Sequence, residues 1–235
     1  MNSVLITGVS TGIGKAAVQK LCVEGYYVFG SVRNLADADE LTHHYSDQFT
    51  PLEFDVTNVG DIQKSYEIVK ERLSGNLIGI VNNAGIALGG PILMLDNDVF
   101  KKQFDVNIFG VLNTIKIFFP LLKESAKQNN TARIVNISSV SGKIAFPFVA
   151  PYAASKHALE ALSDSMRKEF QLHGVDVIVI EPGPINTPIW DKSPNPEDNV
   201  FLGSEYENSL RKFYRLIMKK GRTGLPASDV AELIY

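Results

Sequence analysis

The apolar positions of the chain follow two alternating rhythms. Short runs that are almost continuously apolar or β-branched occur at Ser3 to Thr7, Tyr26 to Val32, Thr50 to Phe54, Leu77 to Val81, Arg133 to Ile137 and Val175 to Ile180. Their length and continuity predict strands buried on both faces. Between them, apolar residues recur every three or four positions, which predicts helices over Ile13 to Glu24, Leu35 to Tyr45, Asn58 to Leu73, Asp96 to Lys123 and Tyr152 to His173. In the first of these, Ile13, Ala16, Ala17, Leu21 and Val23 supply the apolar positions. Strand and helix in regular succession imply a parallel sheet with right-handed crossovers, that is, an α/β fold in three layers. Gly25 is expected to end the first helix, Thr57 or Asn58 to cap a later one, and Pro120 to bend or interrupt the long one. Lys123 to Thr131 reads as a polar surface excursion. Ile189 to Gly224 is irregular and rich in aromatics and charges (Trp190, Phe201, Tyr206, Phe213, Tyr214), and a last helix begins at Ala227. No linker-like stretch divides the chain, so residues 1–235 are read as one domain.

Composition narrows the picture without redirecting it. Of 235 residues, 45% are apolar and 21% charged, enough for one large core. The net charge of −3 and the lack of a long basic run give no reason to expect nucleic acid or an anionic membrane as partner. A single cysteine, Cys22, excludes an intrachain disulfide, and packing is its expected role. No apolar run approaches the ~18 residues that span a bilayer. Val4-Leu5-Ile6 passes straight into a glycine turn, leaving no room for a signal peptide. A cytoplasmic protein is the expectation. His43, His44, His157 and His173 show no metal-ligand spacing and are read as non-catalytic.

Three stretches carry candidate chemistry. Thr7-Gly8-Val9-Ser10-Thr11-Gly12-Ile13-Gly14 joins a strand to a helix N-terminus. Backbone N–H groups and the helix dipole there suit a phosphate, although a tight turn would use the same glycines. The second strand ends in Val32-Arg33-Asn34 with no acid. In dinucleotide folds an acid at this point binds ribose hydroxyls and a nearby arginine accommodates a 2′-phosphate, so Arg33 favours NADP(H) over NAD(H); an exposed loop arginine is the alternative. Tyr152 and Lys156, four residues apart, share one helix face. A lysine cation would move the phenol from its ordinary pKa of ~10 toward the working range, though the spacing also fits a surface pair. Asn107 lies inside a predicted helix, where asparagine is disfavoured unless it has a polar task. Ser138-Ser139 closes the fifth strand and would place a hydroxyl in the crevice beyond it.

Taken together these residues resemble the short-chain dehydrogenase/reductase family, in its short single-domain branch, over Ser3 to about Thr187. The resemblance implies a doubly wound parallel-sheet Rossmann fold, with Gly8, Ser10, Thr11, Gly12, Ile13 and Gly14 as the cofactor loop. It implies that Asp55 and Val56 meet the adenine and that Asn83, Ala84 and Gly85 line the cofactor. Pro182, Gly183, Ile185 and Thr187 would hold the nicotinamide carboxamide. Asn107, Ser139, Tyr152 and Lys156 match the catalytic tetrad; Ser139 stands thirteen residues before Tyr152 and is preferred to Ser138. The implied chemistry is hydride transfer between nicotinamide C4 and a carbonyl or alcohol. Ser139 hydrogen-bonds the substrate oxygen, Tyr152 is the general acid/base, Lys156 lowers the tyrosine pKa and holds the ribose, and Asn107 holds a relay water. No metal is implied. The family normally adds a further strand near the C-terminus, which this chain, ending at Tyr235, lacks. A homodimer or homotetramer is the family's habit.

Substrate residues are expected in the loop after Gly85, in Ser141 to Pro151 and in the 185–224 region. Phe146, Phe148, Ile189 and Trp190, with Ser139 and Tyr152, would contact substrate, and Ile86, Leu88 and Val149 add to an apolar lining; packing against one another is the alternative. Gly30-Ser31-Val32-Arg33-Asn34 looks like members acting on steroids, retinol and similar apolar alcohols. A non-catalytic NADP-binding regulator or redox sensor has no need of the acid–base pair. A nucleotide-sugar epimerase or dehydratase would need a longer C-terminal sugar domain.

Overall fold

Six strands form one all-parallel sheet in the order β3-β2-β1-β4-β5-β6. They are β1 (Ser3–Ile6), β2 (Tyr27–Val32), β3 (Phe49–Glu53), β4 (Leu77–Asn82), β5 (Ala132–Ile137) and β6 (Val175–Ile180). The computed structural model describes residues 1–128, 131–190 and 201–235. Both faces of the sheet are covered, which is why its strands could be so uniformly apolar: Leu5, Ile6, Phe29, Leu52, Ile80 and Ile134 are at most 0% exposed. One face carries α3 (Val59–Arg72), α5 (Gly110–Lys127) and α6 (Ala150–Phe170), with Phe118, Leu122 and Leu159 in a core with Phe29 and Ile80. On the other face α1 (Gly12–Val23) and the C-terminal α8 (Ala227–Ile234) pack Ala17, Val18, Leu21, Val230 and Ala231 against Val4, Ile6 and Val28. Lys20 fastens these two helices by bridging Glu24 and Glu232, each at 2.8 Å.

Local signals behaved largely as their chemistry demands. Gly25 (φ +85°) closes α1. Asn58 caps α3, its Oδ1 accepting from Gly60 N and Asp61 N, while Thr57 turns its hydroxyl to Asp55. Val23, counted among the apolar positions of α1, is 75% exposed because it falls on the outer side of the last turn. Leu35 to Tyr45 divides into a 3₁₀ turn (Leu35–Ala38) and a short α2 (Asp39–His44).

The long central helix departs from expectation in three ways. It runs as α4 (Asn97–Phe104), a π-helical turn (Asp105–Phe109) and α5. Pro120 does not interrupt it: Pro120 is exposed, so the carbonyl one turn back is left facing water, where the lost hydrogen bond costs least. The helix continues to Lys127, into the segment read as a surface excursion. Asn97–Lys127 forms one unit of 31 residues, and an 18-residue window of it reaches a mean hydropathy of 1.4, so by length and composition it could cross a bilayer although it holds no continuous apolar run. Val111, Ile115, Phe118 and Leu122 are instead spent on the core. The expected irregular region also contains a helix, α7 (Glu207–Arg222); positions 191–200 of that region lie outside the described residues. Two short parallel strands, β7 (Ile185–Asn186) and β8 (Leu225–Pro226), tie the segment after β6 to the end of α7.

A polar ladder crosses the core below the site. Asn82 Nδ2 donates to Asn136 Oδ1 at 2.8 Å, and Asn136 Nδ2 donates to Ser163 Oγ at 2.9 Å, joining β4, β5 and α6. Asn136→Ala strips both bonds and leaves buried groups unpaired, so urea unfolding should show a loss of roughly 2–4 kcal/mol. A loss below about 1 kcal/mol would mean that the ladder is dispensable.

Candidate active site

The strand order reverses between β1 and β4, and in open parallel sheets ligands bind beyond the carboxyl ends at such a point. Here the two strand ends are pinned together. Thr7 Oγ1 accepts from Asn83 N and Ala84 N at 3.0 Å. Asn83 Nδ2 donates back to the carbonyls of Thr7 (2.9 Å) and Gly8 (2.8 Å). Ser31 of β2 holds the other side, its carbonyl accepting from Gly8 N and Val9 N. Gly8 (φ +73°) and Gly12 (φ +59°) take left-handed conformations that other residues adopt only with strain. A Cβ on Gly14 would strike the Gly8 carbonyl. The loop is therefore a cradle that side chains would fill, opening on the N-terminus of α1. No side chain caps that terminus and no acid stands in its first turn. Half-buried Ser10 and exposed Thr11 border the cradle, with Ile13 half-buried behind it. These groups suit a pyrophosphate.

The adenosine side is equally legible. Arg33 follows β2, is exposed, and forms no ion pair with any described residue. Beyond β3, Asp55 Oδ1 accepts from Thr57 N (2.8 Å) and Thr57 Oγ1 (2.7 Å), which fixes the carboxylate and leaves Oδ2 as acceptor. Val56 sends its side chain into the core against Gly110, and its carbonyl accepts from Asn113 Nδ2, so it offers no side chain to a ligand. On the opposite wall, Pro182 and Gly183 follow β6. Thr187 lies against the glycine loop: a Cβ on Gly12 would come within 3.1 Å of its methyl. Ile185 is buried in β7.

Tyr152 and Lys156 stand one turn apart on α6, which starts at Ala150 with Pro151 in its first turn. Ser139 caps the 3₁₀ turn Val140–Gly142, its Oγ accepting from Ser141 N at 3.1 Å. The same hydroxyl neighbours the Tyr152 phenol. Lys156 Nζ donates to the Ile137 carbonyl at 2.7 Å and lies 5.7 Å from the centre of the Tyr152 ring. The electrostatics correct the expectation that Lys156 draws the phenol down. Burial pushes the Tyr152 phenol above its ordinary range, and the neighbouring Ser139 hydroxyl acts the other way. Burial also brings Lys156 down to about 8, with Glu160 acting the other way. The ammonium is spent on a carbonyl rather than aimed at the phenol oxygen.

Asn107 sits in the π turn, and its side-chain amide is engaged at both ends. Oδ1 accepts from Ile86 N at 3.0 Å, and Nδ2 donates to Ile86 O at 3.1 Å and to Ser155 Oγ at 3.0 Å. Ser155 Oγ in turn donates to the Tyr152 carbonyl at 2.7 Å. Gly85 is packed close to Asn107: a Cβ there would lie 3.3 Å from Oδ1. Two contributors escaped the sequence reading. Ser155 lies inside the Tyr-x-x-x-Lys motif. Gln103, 0% exposed, holds Ile86 O and Leu88 N. Thr7, read as the start of the glycine loop, proves to be the clamp itself. A polar residue on an otherwise apolar helix face was the available signal for Gln103.

Of the residues nominated for substrate, Phe146 is exposed, while Phe148 takes a left-handed conformation (φ +64°) and packs edge-on against Phe213 of α7 at 5.7 Å. Ile189 and Trp190 are half-buried. The Trp190 ring covers Gly221 of α7, and its Nε1 donates to Ile185 O at 2.6 Å, so Trp190 anchors that helix.

A doubly wound parallel sheet with a pyrophosphate cradle at its switch point and a Ser–Tyr–Lys group beside it defines a nicotinamide-dependent oxidoreductase. The model for short chain dehydrogenases matches residues 2–198, and the chain belongs to that family. It is 35% identical over 232 residues to the NADPH-dependent 3-dehydrocapnine reductase of Ornithobacterium rhinotracheale, covering 98% of this chain and 82% of that one. It is 29% identical over 222 residues to the 3-ketodihydrosphingosine reductase of Bacteroides thetaiotaomicron, covering 94% and 77%. Among solved structures, a short-chain dehydrogenase/reductase from Burkholderia phymatum in complex with NAD is similar at a TM-score of 0.85, with 25% identity, covering 99% and 84%.

The buried ammonium has a measurable consequence. Lys156 in the folded chain loses its proton near pH 8, against 10.5 in the unfolded chain, so between these values the unfolded state binds more protons and stability rises with pH. Lys156→Met should therefore raise the melting temperature most at pH 7 and progressively less toward pH 10.5. A pH-independent difference would show that Lys156 is not desolvated.

Proposed function

We propose that the chain is an NADP(H)-linked reductase of the ketone group of a lipid-like amphiphile, with Tyr152 as proton donor. The observation that carries the reading is the half-buried Tyr152, its phenol beside Ser139 and one helical turn from Lys156, at the carboxyl edge of the sheet. A phenol held protonated is suited to giving a proton rather than taking one, which favours the reducing direction. When bound, the nicotinamide supplies the hydride. The chain's residues supply the rest. Ser139 Oγ donates a hydrogen bond to the carbonyl oxygen, where negative charge grows, and Tyr152 Oη protonates it. The phenolate left behind lies one helical turn from Lys156, whose own proton burial has loosened. Asn107 and Ser155 act on α6, fixing the Tyr152 backbone against Ile86. Gly8 to Gly14 would hold the pyrophosphate, Asp55 Oδ2 the adenine amine, and Thr187 the carboxamide.

Arg33, with no acid beside it at the end of β2, supports a 2′-phosphate and hence NADP(H). The relative named NADPH-dependent supports the same choice. Two relatives carry a 3-dehydro or 3-keto group in the names of their substrates, so a 3-oxo compound is the substrate class to test first.

Two measurements check this. Nicotinamide fluorescence should show NADPH binding at least about tenfold tighter than NADH, ~1.4 kcal/mol, and Arg33→Ala should abolish the difference. Equal or tighter NADH binding would overturn the NADP assignment. With a long-chain 3-oxo amphiphile and NADPH, Tyr152→Phe should lower kcat by about 100-fold or more while cofactor affinity stays within about threefold. Retained turnover would remove Tyr152 from the chemistry.

A further inference from the structure

Beneath the turn that carries Ser139 lies a second polar cluster. Glu160 is one helical turn beyond Lys156 on α6, on the same face, and is 9% exposed. Its Oε2 is 2.9 Å from Lys143 Nζ, which also reaches Glu181 at 3.4 Å. Its Oε1 is buried without a hydrogen-bond partner, and so is Ser138 Oγ at the end of β5. Both atoms lie close to Gly142: a Cβ there would stand 2.9 Å from Ser138 Oγ and 3.0 Å from Glu160 Oε1. The two are thus less than about 6 Å apart, yet do not bond. A buried carboxylate oxygen and a buried hydroxyl left unpaired would each carry an uncompensated desolvation cost, and a gap of this size between two polar groups takes one water.

We propose that Glu160 is a positioning residue for Lys156, and that it shares a buried water with Ser138 beneath Gly142. This rests on the reductase reading for its catalytic meaning. Among the described residues, the charged and titratable groups facing Lys156 are few. α6 contributes Tyr152 and Glu160; the turn after β5 contributes Lys143, and the end of β6 contributes Glu181, both reaching Lys156 by way of Glu160. The packed part of α4 and the π turn present neutral amides, Gln103 and Asn107. Glu160 is therefore the nearest anion able to keep the buried ammonium protonated, and the Glu160–Ser138 water would hold the carboxylate at the correct height. Gly142 is required because any side chain would fill the space of that water.

The test compares wild type, Glu160→Gln, Glu160→Asp and Lys143→Ala by two readouts. One is the pH dependence of NADPH-linked reduction. The other is the pH at which stability begins to rise, read from melting curves without cofactor. Glu160→Gln should move both the alkaline fall in activity and the rise in stability to lower pH by at least about half a unit, since one charge less holds the Lys156 proton. Glu160→Asp, which keeps the charge, should return both most of the way to the wild-type profile. Lys143→Ala, a change of an exposed residue, should move both the opposite way, because it frees Glu160 to act on Lys156. It carries the test if Glu160→Gln does not fold. Unmoved profiles in folded Glu160→Gln, or in Lys143→Ala, overturn the positioning role. Shifted stability curves with no turnover in wild type would support the Glu160–Lys156 coupling and sink the reductase reading instead. A high-resolution crystal structure should show water density between Ser138 Oγ and Glu160 Oε1, absent in Gly142→Ala; wild-type density without it overturns the water.

Discussion

Everything at the carboxyl edge of the sheet depends on the pin between β1 and β4. Parallel strands leave their end groups without ladder partners, and at a switch point the two chains diverge to opposite faces. Thr7 and Asn83 supply those partners to each other, so the glycine loop and the start of the β4 loop become one rigid piece. The glycines follow from this closeness. Gly8 touches Ala84, and Gly14 lies under the Gly8 carbonyl. The backbone approaches as near as it does because nothing projects from it. The anion cradle is thus a by-product of a packing constraint between two strands.

The acid–base group is built on the opposite principle, burial of ionisable groups beside a few chosen partners. The π turn in the central helix re-aims Asn107 toward Ile86 and Ser155, out of the regular helical register. Ser155 hands that constraint to the backbone of Tyr152. Lys156 is anchored to the end of β5 through the Ile137 carbonyl. The result is a phenol that burial favours in its protonated form and an ammonium that holds its own proton only weakly.

Two of the aromatic residues expected at the substrate serve α7: Phe148 packs against Phe213, and the Trp190 ring covers Gly221. The left-handed backbone at Phe148 lets its carbonyl accept from Gly90 N at 2.7 Å, which couples the loop after Gly85 to the segment before α6. Movement of α7 would thus be felt in both loops that border Ser139 and Tyr152.

By itself the sequence determined the order of strands and helices, the glycine turn, the lone Arg33 after β2, and the Tyr152–Lys156 spacing. These are local: a buried parallel strand must be apolar throughout, a tight anion loop must be glycine, and i, i+4 residues must share a helix face. What it could not determine depends on residues far apart in the chain. α7 was hidden because its apolar stripe is matched by six basic residues and is completed only by Phe148 and Trp190. The continuity of the central helix through Pro120 depended on which side faces water. The direction of the Tyr152 shift depended on how deeply α6 is buried and on Lys156 finding the Ile137 carbonyl first. The closeness of Glu160 to Ser138 across Gly142 arises only because β5, its turn and α6 meet in three dimensions. Charge states are set by desolvation and by neighbours through space, and neither is encoded at a fixed spacing along the chain.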